Sequence, residues 1–236
     1  MDKNRIIDIY KVLFKEYGPQ GWWPVSSVLD NNGYHNGNYK LPETEEQKFE
    51  IIAGAILTQN TAWKNVRRAI DALYRYKLIN PKGLFDEPQE SLAEIIRSSG
   101  YFNQKAKKLK IICNFLVKGA YLDNKIPERE KLLSLWGIGP ETADSILLYA
   151  YKVPVFVVDA YTKRIFSRIG IINKRSDYNT VQKMFIEAGR SESTENKYKL
   201  YNEYHALIVK HAKIHCKKVP VCTGCPVFSC KNLLNT

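Results

Sequence analysis

A chain of 236 residues with 44% apolar side chains can pack a core in one large domain or two small ones, which excludes a disordered tail or a fibrous repeat. Lysine and arginine outnumber aspartate and glutamate by 36 to 24, a formal net charge of +12 that fits a polyanionic partner. No run approaches the roughly 20 apolar residues that cross a bilayer, and the charged start of the chain does not read as a secretion signal.

Met1–Tyr17 carries Ile6, Ile7, Ile9, Tyr10, Leu13 and Phe14 at helical spacing, so the chain opens on a short amphipathic helix that Gly18-Pro19-Gln20-Gly21 ends. Trp22-Trp23-Pro24 follows, then a polar Asn/Gly-rich stretch, Asp30–Lys40, that reads as an exposed loop. Pro42-Glu43-Thr44 opens a second helix, which buries Phe49, Ile52, Ala53, Ile56 and Leu57 and ends near Thr58-Gln59-Asn60-Thr61. Trp63–Tyr76 predicts a helix, Pro81–Phe85 a turn and Ser91–Ser98 a helix. Gly100-Tyr101-Phe102-Asn103 predicts a break, and Lys105–Leu122 a longer helix whose lone Cys113 reads as buried filler.

After Pro127 comes the most informative stretch, Leu132–Gly170. It predicts a helix, a tight hairpin at Gly137-Ile138-Gly139, and a second helix with Ala143, Ile146, Leu147 and Ala150 on one face. The glycines tolerate positive φ and leave amides uncovered, Pro140 suits a first helical turn, and Glu141 sits where the helix dipole favours an anion. Successive uncovered amides form a concavity suited to a phosphate. An extended apolar run, Val153–Val158, then delivers Asp159 to the start of another helix, where it is also an N-cap candidate. Helical patterns over Asp177–Ala188 and Asn196–His215 complete an all-α fold.

The tail holds Cys216, Cys222, Cys225 and Cys230 in the spacing C-x5-C-x2-C-x4-C. Thiolates clustered so tightly suit a soft cation rather than a secreted disulfide framework. Zinc is one candidate, although tetrathiolate zinc sites usually carry two C-x2-C knuckles and this tail has one.

The hairpin with its Thr142-Ala143 pair and the aspartate after Pro154-Val155-Phe156-Val157-Val158 resemble the helix-hairpin-helix, Gly/Pro-Asp motif of the endonuclease III superfamily of DNA glycosylases. That resemblance implies two helical lobes flanking a DNA-binding cleft: residues 1–42 with 154–236, and a six-helix bundle over 43–153 that contains the hairpin. It implies a [4Fe-4S] cluster on the four tail cysteines, in a loop over 216–230, although the family spacing is C-x6-C-x2-C-x5-C and this chain is one residue shorter in two gaps. It also implies double-stranded DNA with damaged bases as the partner, in a monomeric cytoplasmic protein associated with the nucleoid and not with membranes.

Within the same resemblance, Gly137, Ile138, Gly139 and Thr142 grip the DNA backbone and Gln59 plugs the hole left by a base turned out of the stack. Asp159 is the catalytic carboxylate that steadies positive charge on the sugar as the base leaves. Glu141 stands where bifunctional relatives carry the lysine that attacks the sugar, and a carboxylate cannot form a Schiff base, which implies a monofunctional enzyme.

Trp22, Trp23 and Trp63 fall where 3-methyladenine glycosylases of the superfamily surround the flipped base. An aromatic sandwich suits a cationic alkylated purine. Removal of oxidised or mismatched pyrimidines, with strand cleavage, is the alternative within the enzyme class. A non-catalytic lesion-binding protein is the alternative outside it. Lys64, Arg67, Arg68, Lys105, Lys107, Lys108, Lys163, Arg164 and Arg168 are candidates for the phosphate footprint.

Overall fold

The computed structural model describes residues 2–121 and 125–227. Every regular element among them is helical: α1 Asp2–Tyr17, α2 Glu45–Leu57, α3 Trp63–Arg75, α4 Pro81–Asp86, α5 Gln89–Ile95, α6 Phe102–Gly119, α7 Arg129–Leu133, α8 Pro140–Ser145, α9 Ala160–Arg168, α10 Tyr178–Ala188 and α11 Thr194–Ile214. No helix among the described residues is long and apolar enough to cross a membrane.

Local chemistry explains most boundaries. Thr44 caps α2 through a reciprocal pair with Gln47, the Thr hydroxyl accepting from the Gln47 N–H and the Gln47 side chain accepting from the Thr44 N–H. Residues 81–86 form a helix rather than the expected turn. Pro81 stands in its first turn, and the Asn80 side chain accepts from Gly83 N–H at 2.6 Å, so the proline starts this segment instead of bending it. The expected break before α6 shrinks to Gly100 and Tyr101, both with positive φ, and the helix is already formed at Phe102.

The chain divides into two compact units. The first comprises described residues 2–24, 30–39 and 153–227, and packs α1 against α10 and α11, with α9 against α11. Its core is aromatic: Phe156 stacks on Phe185 at 4.0 Å, and Phe166, Tyr201 and Tyr204 meet these two rings edge-on or tilted. Tyr204 donates its hydroxyl to Ile6 O at 2.6 Å, tying α11 to α1.

The second unit comprises residues 25–29, 40–121 and 125–152. Phe49, Ile52, Ile56, Val66, Leu73, Leu109, Ile112 and Ile146 are wholly or almost wholly buried there, each worth about 1.5–3 kcal/mol of transfer free energy. Residues 25–29 join this unit because the Ser26 N–H and hydroxyl donate to the Glu50 carboxylate at 2.7–3.0 Å, as does Tyr74 Oη at 2.8 Å. Burial pushes the Glu50 carboxyl up, and these donors temper the rise. Cys113 is buried and its thiol pushed up, as expected of filler.

Candidate active site

In the second unit α7 and α8 are the arms of the hairpin. Arg129 on α7 grips Asp144 on α8 with both ends of its guanidinium, Nε to Oδ1 at 2.6 Å and Nη2 to Oδ2 at 3.0 Å. Asp144 is fully buried, so this fork is a fixed strut between the arms. Beyond Ser145 the helix continues as a π-helical turn, Ile146–Ala150, buried on every side.

The two hairpin glycines do different work. Gly137 has φ +83°, and a Cβ there would stand 2.5 Å from Lys108 Cε. Gly139 has φ −91° and open space where its Cβ would be, so the positive-φ argument holds at 137 and not at 139. Among the described residues nothing crowds a side chain at 139; a missing side chain there keeps the backbone approachable. Ile138 is buried and its N–H donates to Leu135 O at 3.1 Å, which closes the turn.

Gln59 lies against this hairpin. Its Nε2 donates to Thr142 Oγ1 at 2.9 Å and Gly137 O at 3.2 Å, and its Oε1 accepts from Lys108 Nζ at 2.5 Å. Lys105 is buried instead of facing a phosphate. Its ammonium caps the end of α2 by donating to Leu57 O at 2.8 Å and to Ser99 O at 2.7 Å, and burial lowers its pKa to about 8. Trp63, the first residue of α3, is half-buried.

In the first unit Asp159 is the N-cap of α9. Its Oδ1 accepts from Thr162 N–H at 2.7 Å and Thr162 Oγ1 at 2.8 Å, and its Oδ2 faces His205 Nε2 at 3.6 Å. Capping and a second role therefore fall to different oxygens of one carboxylate. Burial pushes the Asp159 carboxyl up, but the His205 ring and the two Thr162 donors outweigh it and hold the pKa below the ordinary aspartate value.

His205 in turn meets the Trp22 ring edge-on at 5.6 Å, and Trp22 leans on Trp23 at 6.0 Å. Asn202 Nδ2 donates to Trp22 O at 3.0 Å. One residue on, the Glu203 carboxylate accepts from Gln20 N–H at 2.8 Å and Tyr39 Oη at 3.1 Å. A single turn of α11 thus fixes the segment that presents Trp22. Trp23 is buried, so it backs Trp22 and shows little surface of its own.

Sequence reasoning does not single out His205, Asn202 or Glu203 for this role. The usable signal is Asn202-Glu203-Tyr204-His205 set between Leu200-Tyr201 and the apolar run Ala206-Leu207-Ile208-Val209, since buried polar groups need partners. Trp22 and Asp159 are brought into one line through His205. Gln59, Gly137 and Thr142 meet in the other unit.

At the tail, Cys216 and Cys225 are buried and Cys222 is half-buried, while Cys230 lies outside the described residues. Among the described residues no group of three or more His, Cys, Asp or Glu is gathered as a metal site. Cys216 Sγ accepts from Arg168 Nη1 at 3.2 Å. Arg168 also donates to Lys217 O at 2.7 Å and Lys218 O at 2.8 Å, and Arg164 Nε to Cys216 O at 2.7 Å. These two arginines anchor the tail to α9, and Lys163 donates to Ser176 O at 3.0 Å, so all three are half-buried and engaged within their own unit.

Residues 53–190 match the HhH-GPD superfamily base excision DNA repair protein family. A Methanocaldococcus jannaschii protein named "Putative DNA repair glycosylase" is 40% identical over 230 residues, covering 94% of this chain and 93% of that one. Endonuclease III of Bacillus subtilis is 25% identical over 207 residues, covering 87% and 90%. The crystal structure of H. pylori 3-methyladenine DNA glycosylase bound to 1,N6-ethenoadenine superposes with a TM-score of 0.72 at 29% identity, covering 90% of this chain and 98% of that one. A non-covalent endonuclease III–DNA complex gives 0.75 at 21% identity over 99% of each chain, a likeness of fold. With a helical hairpin, a capped aspartate and a match over more than half its length, the chain belongs to the HhH-GPD superfamily of base excision DNA repair proteins.

Proposed function

We propose that this chain is a monofunctional DNA glycosylase that hydrolyses the N-glycosidic bond of alkylated purines, 3-methyladenine first, in duplex DNA. The observation that carries the reading is the line Trp22–His205–Asp159, which sets an aromatic ring one side chain away from a carboxylate held in its ionised form. As the base leaves, positive charge develops on the sugar, and the Asp159 oxygen not used in capping steadies it. An alkylated purine is itself cationic, so it stacks on an electron-rich ring for roughly 0.5–2 kcal/mol and leaves without being protonated. Trp22, backed by Trp23, supplies the ring on which the base stacks. The 29% identical 3-methyladenine glycosylase supports the substrate class.

Gly137, Gly139 and Thr142 form the backbone grip, and Gln59 fills the vacated stack. Glu141 in place of the lyase lysine makes strand cleavage weak or absent. The tail cysteines 216, 222, 225 and 230 hold a [4Fe-4S] cluster, supported by their spacing, two buried thiols and the Arg168 donor. When bound, the cluster closes a polar loop too small for a core of its own. The protein works as a cytoplasmic monomer on damaged DNA.

The test is a base-release panel with methylated, oxidised, mismatched and uracil-containing duplexes, combined with borohydride trapping on abasic DNA. Release of methylated purine alone, without trapping and with loss of release in Asp159→Asn, is the expected outcome. Release of oxidised or mismatched pyrimidine with efficient trapping favours the endonuclease III-like alternative, and no release from any duplex favours a binding protein.

A further inference from the structure

Lys108 stands on α6 with its stem along the hairpin: Cγ, Cδ and Cε all lie within 2.8 Å of where a Cβ on Gly137 would be. Its ammonium reaches Gln59 Oε1 at 2.5 Å, a charge-assisted bond. The Gln59 amide is at the same time committed to Gly137 O and Thr142 Oγ1. Gln59 is therefore stowed on the hairpin by three bonds, in a conformation that cannot also enter a duplex. Burial lowers the Lys108 pKa, so its charge is held at a cost that an anion would relieve.

We propose that Lys108 is a further DNA-binding residue that couples the grip to the plug: in the free protein it holds Gln59 down, and when a backbone phosphate reaches Gly137 and Gly139 its ammonium turns to that phosphate and lets Gln59 go. The step needs only rotation of the outer side chain, because the stem already lies over Gly137. A phosphate offers a full negative charge where the Gln59 oxygen offers a dipole, so the exchange runs toward the phosphate. Gln59 then loses its strongest tether at the moment DNA arrives. The inference rests on the proposed roles of the hairpin as grip and Gln59 as plug.

The test uses the full chain with undamaged duplex, so that chemistry plays no part. Lys108→Met keeps the stem over Gly137 and removes the charge; Lys108→Arg restores a cation. Loss of one phosphate contact should make the log–log salt slope of binding shallower by about 0.9, so the affinity gap between wild type and Lys108→Met closes about threefold from 50 to 200 mM salt. Lys108→Arg should keep the wild-type slope. The Gln59 side-chain amide resonance, identified by its loss in Gln59→Ala, should shift in free Lys108→Met and again in wild type on adding duplex.

An unchanged slope in Lys108→Met overturns the proposal, and so does a Gln59 resonance that duplex does not move. Wild-type protein that binds no duplex at all overturns the glycosylase reading along with it, and that control separates the two failures. If Lys108→Met were unfolded, Lys108→Gln would take its place: a shallower slope there supports the coupling, and an unchanged one overturns it.

Discussion

At the scale of single residues, polar groups inside the protein divide into those that hold the fold and those kept for chemistry. Asp159 holds the fold with one oxygen, in the α9 cap, and turns to His205 the oxygen to which the proposed chemistry falls. Its location is legible in sequence because an extended apolar run ending in an aspartate before a helix is a local pattern. That of His205 is not, because its partner lies 46 residues earlier in the chain and no local pattern links them.

Lys105 is the opposite case, a charge that sequence suggests is exposed and that serves only structure. Its folded pKa, about 8, lies below the ordinary 10.5, so between those values the unfolded chain binds more protons and stability rises with pH. Lys105→Met should lower the melting temperature at every pH, since Leu57 O and Ser99 O lose their donor. The wild-type advantage should also widen from pH 8 to 10.5, by as much as about 3 kcal/mol. A constant gap across that window, measured by thermal melts in matched buffers, would show that the ammonium is not destabilised by burial.

Among the elements, α9 joins the capped aspartate to the cysteine tail, end to end. Its N-cap is Asp159, and its last two turns carry Arg164 and Arg168, whose guanidiniums hold residues 216–218. Bonds from a charged donor contribute about 1.5–3 kcal/mol each, so removing Arg168 loosens the start of the cysteine tail more than a surface arginine would. With the proposed cluster on the tail cysteines, Arg168→Met should retain markedly less iron per chain after purification and lose it several-fold faster in air; wild-type retention would falsify the anchor. The helices themselves are readable from caps and periodicity, as at Thr44 and Gln47. The α4 segment reads as a turn because proline both starts helices and bends loops, and only the Asn80 cap before it decides which. At the hairpin, the glycine pair is legible while the Arg129–Asp144 strut across 15 residues is not.

For the molecule as a whole, a net charge of +12 overstates the surface offered to DNA. Of the nine basic candidates, Lys105, Lys163, Arg164 and Arg168 donate to carbonyls within their own unit and Arg67 pairs with Asp71. Nine less five leaves Lys64, Arg68, Lys107 and Lys108, the last bound to Gln59 in the free protein and counted here as the contact proposed above. Four phosphate contacts correspond to a log–log salt slope near about −4, against about −8 if all nine faced the duplex. Fluorescence anisotropy with undamaged duplex over a salt series would distinguish them. Composition alone can report the sign of the partner's charge; it cannot say which cations are already occupied.

The tie between Tyr204 and Ile6 closes a separation of 198 residues. At ribosomal rates of about 5–20 residues per second, the opening helix waits roughly 10–40 s for the residue that fastens it. During that interval residues 40–152 can be completed, while Ile6 and Leu13 have no permanent cover. Settling thus runs from the bundle outward: α1 is made before those residues and is fastened after them.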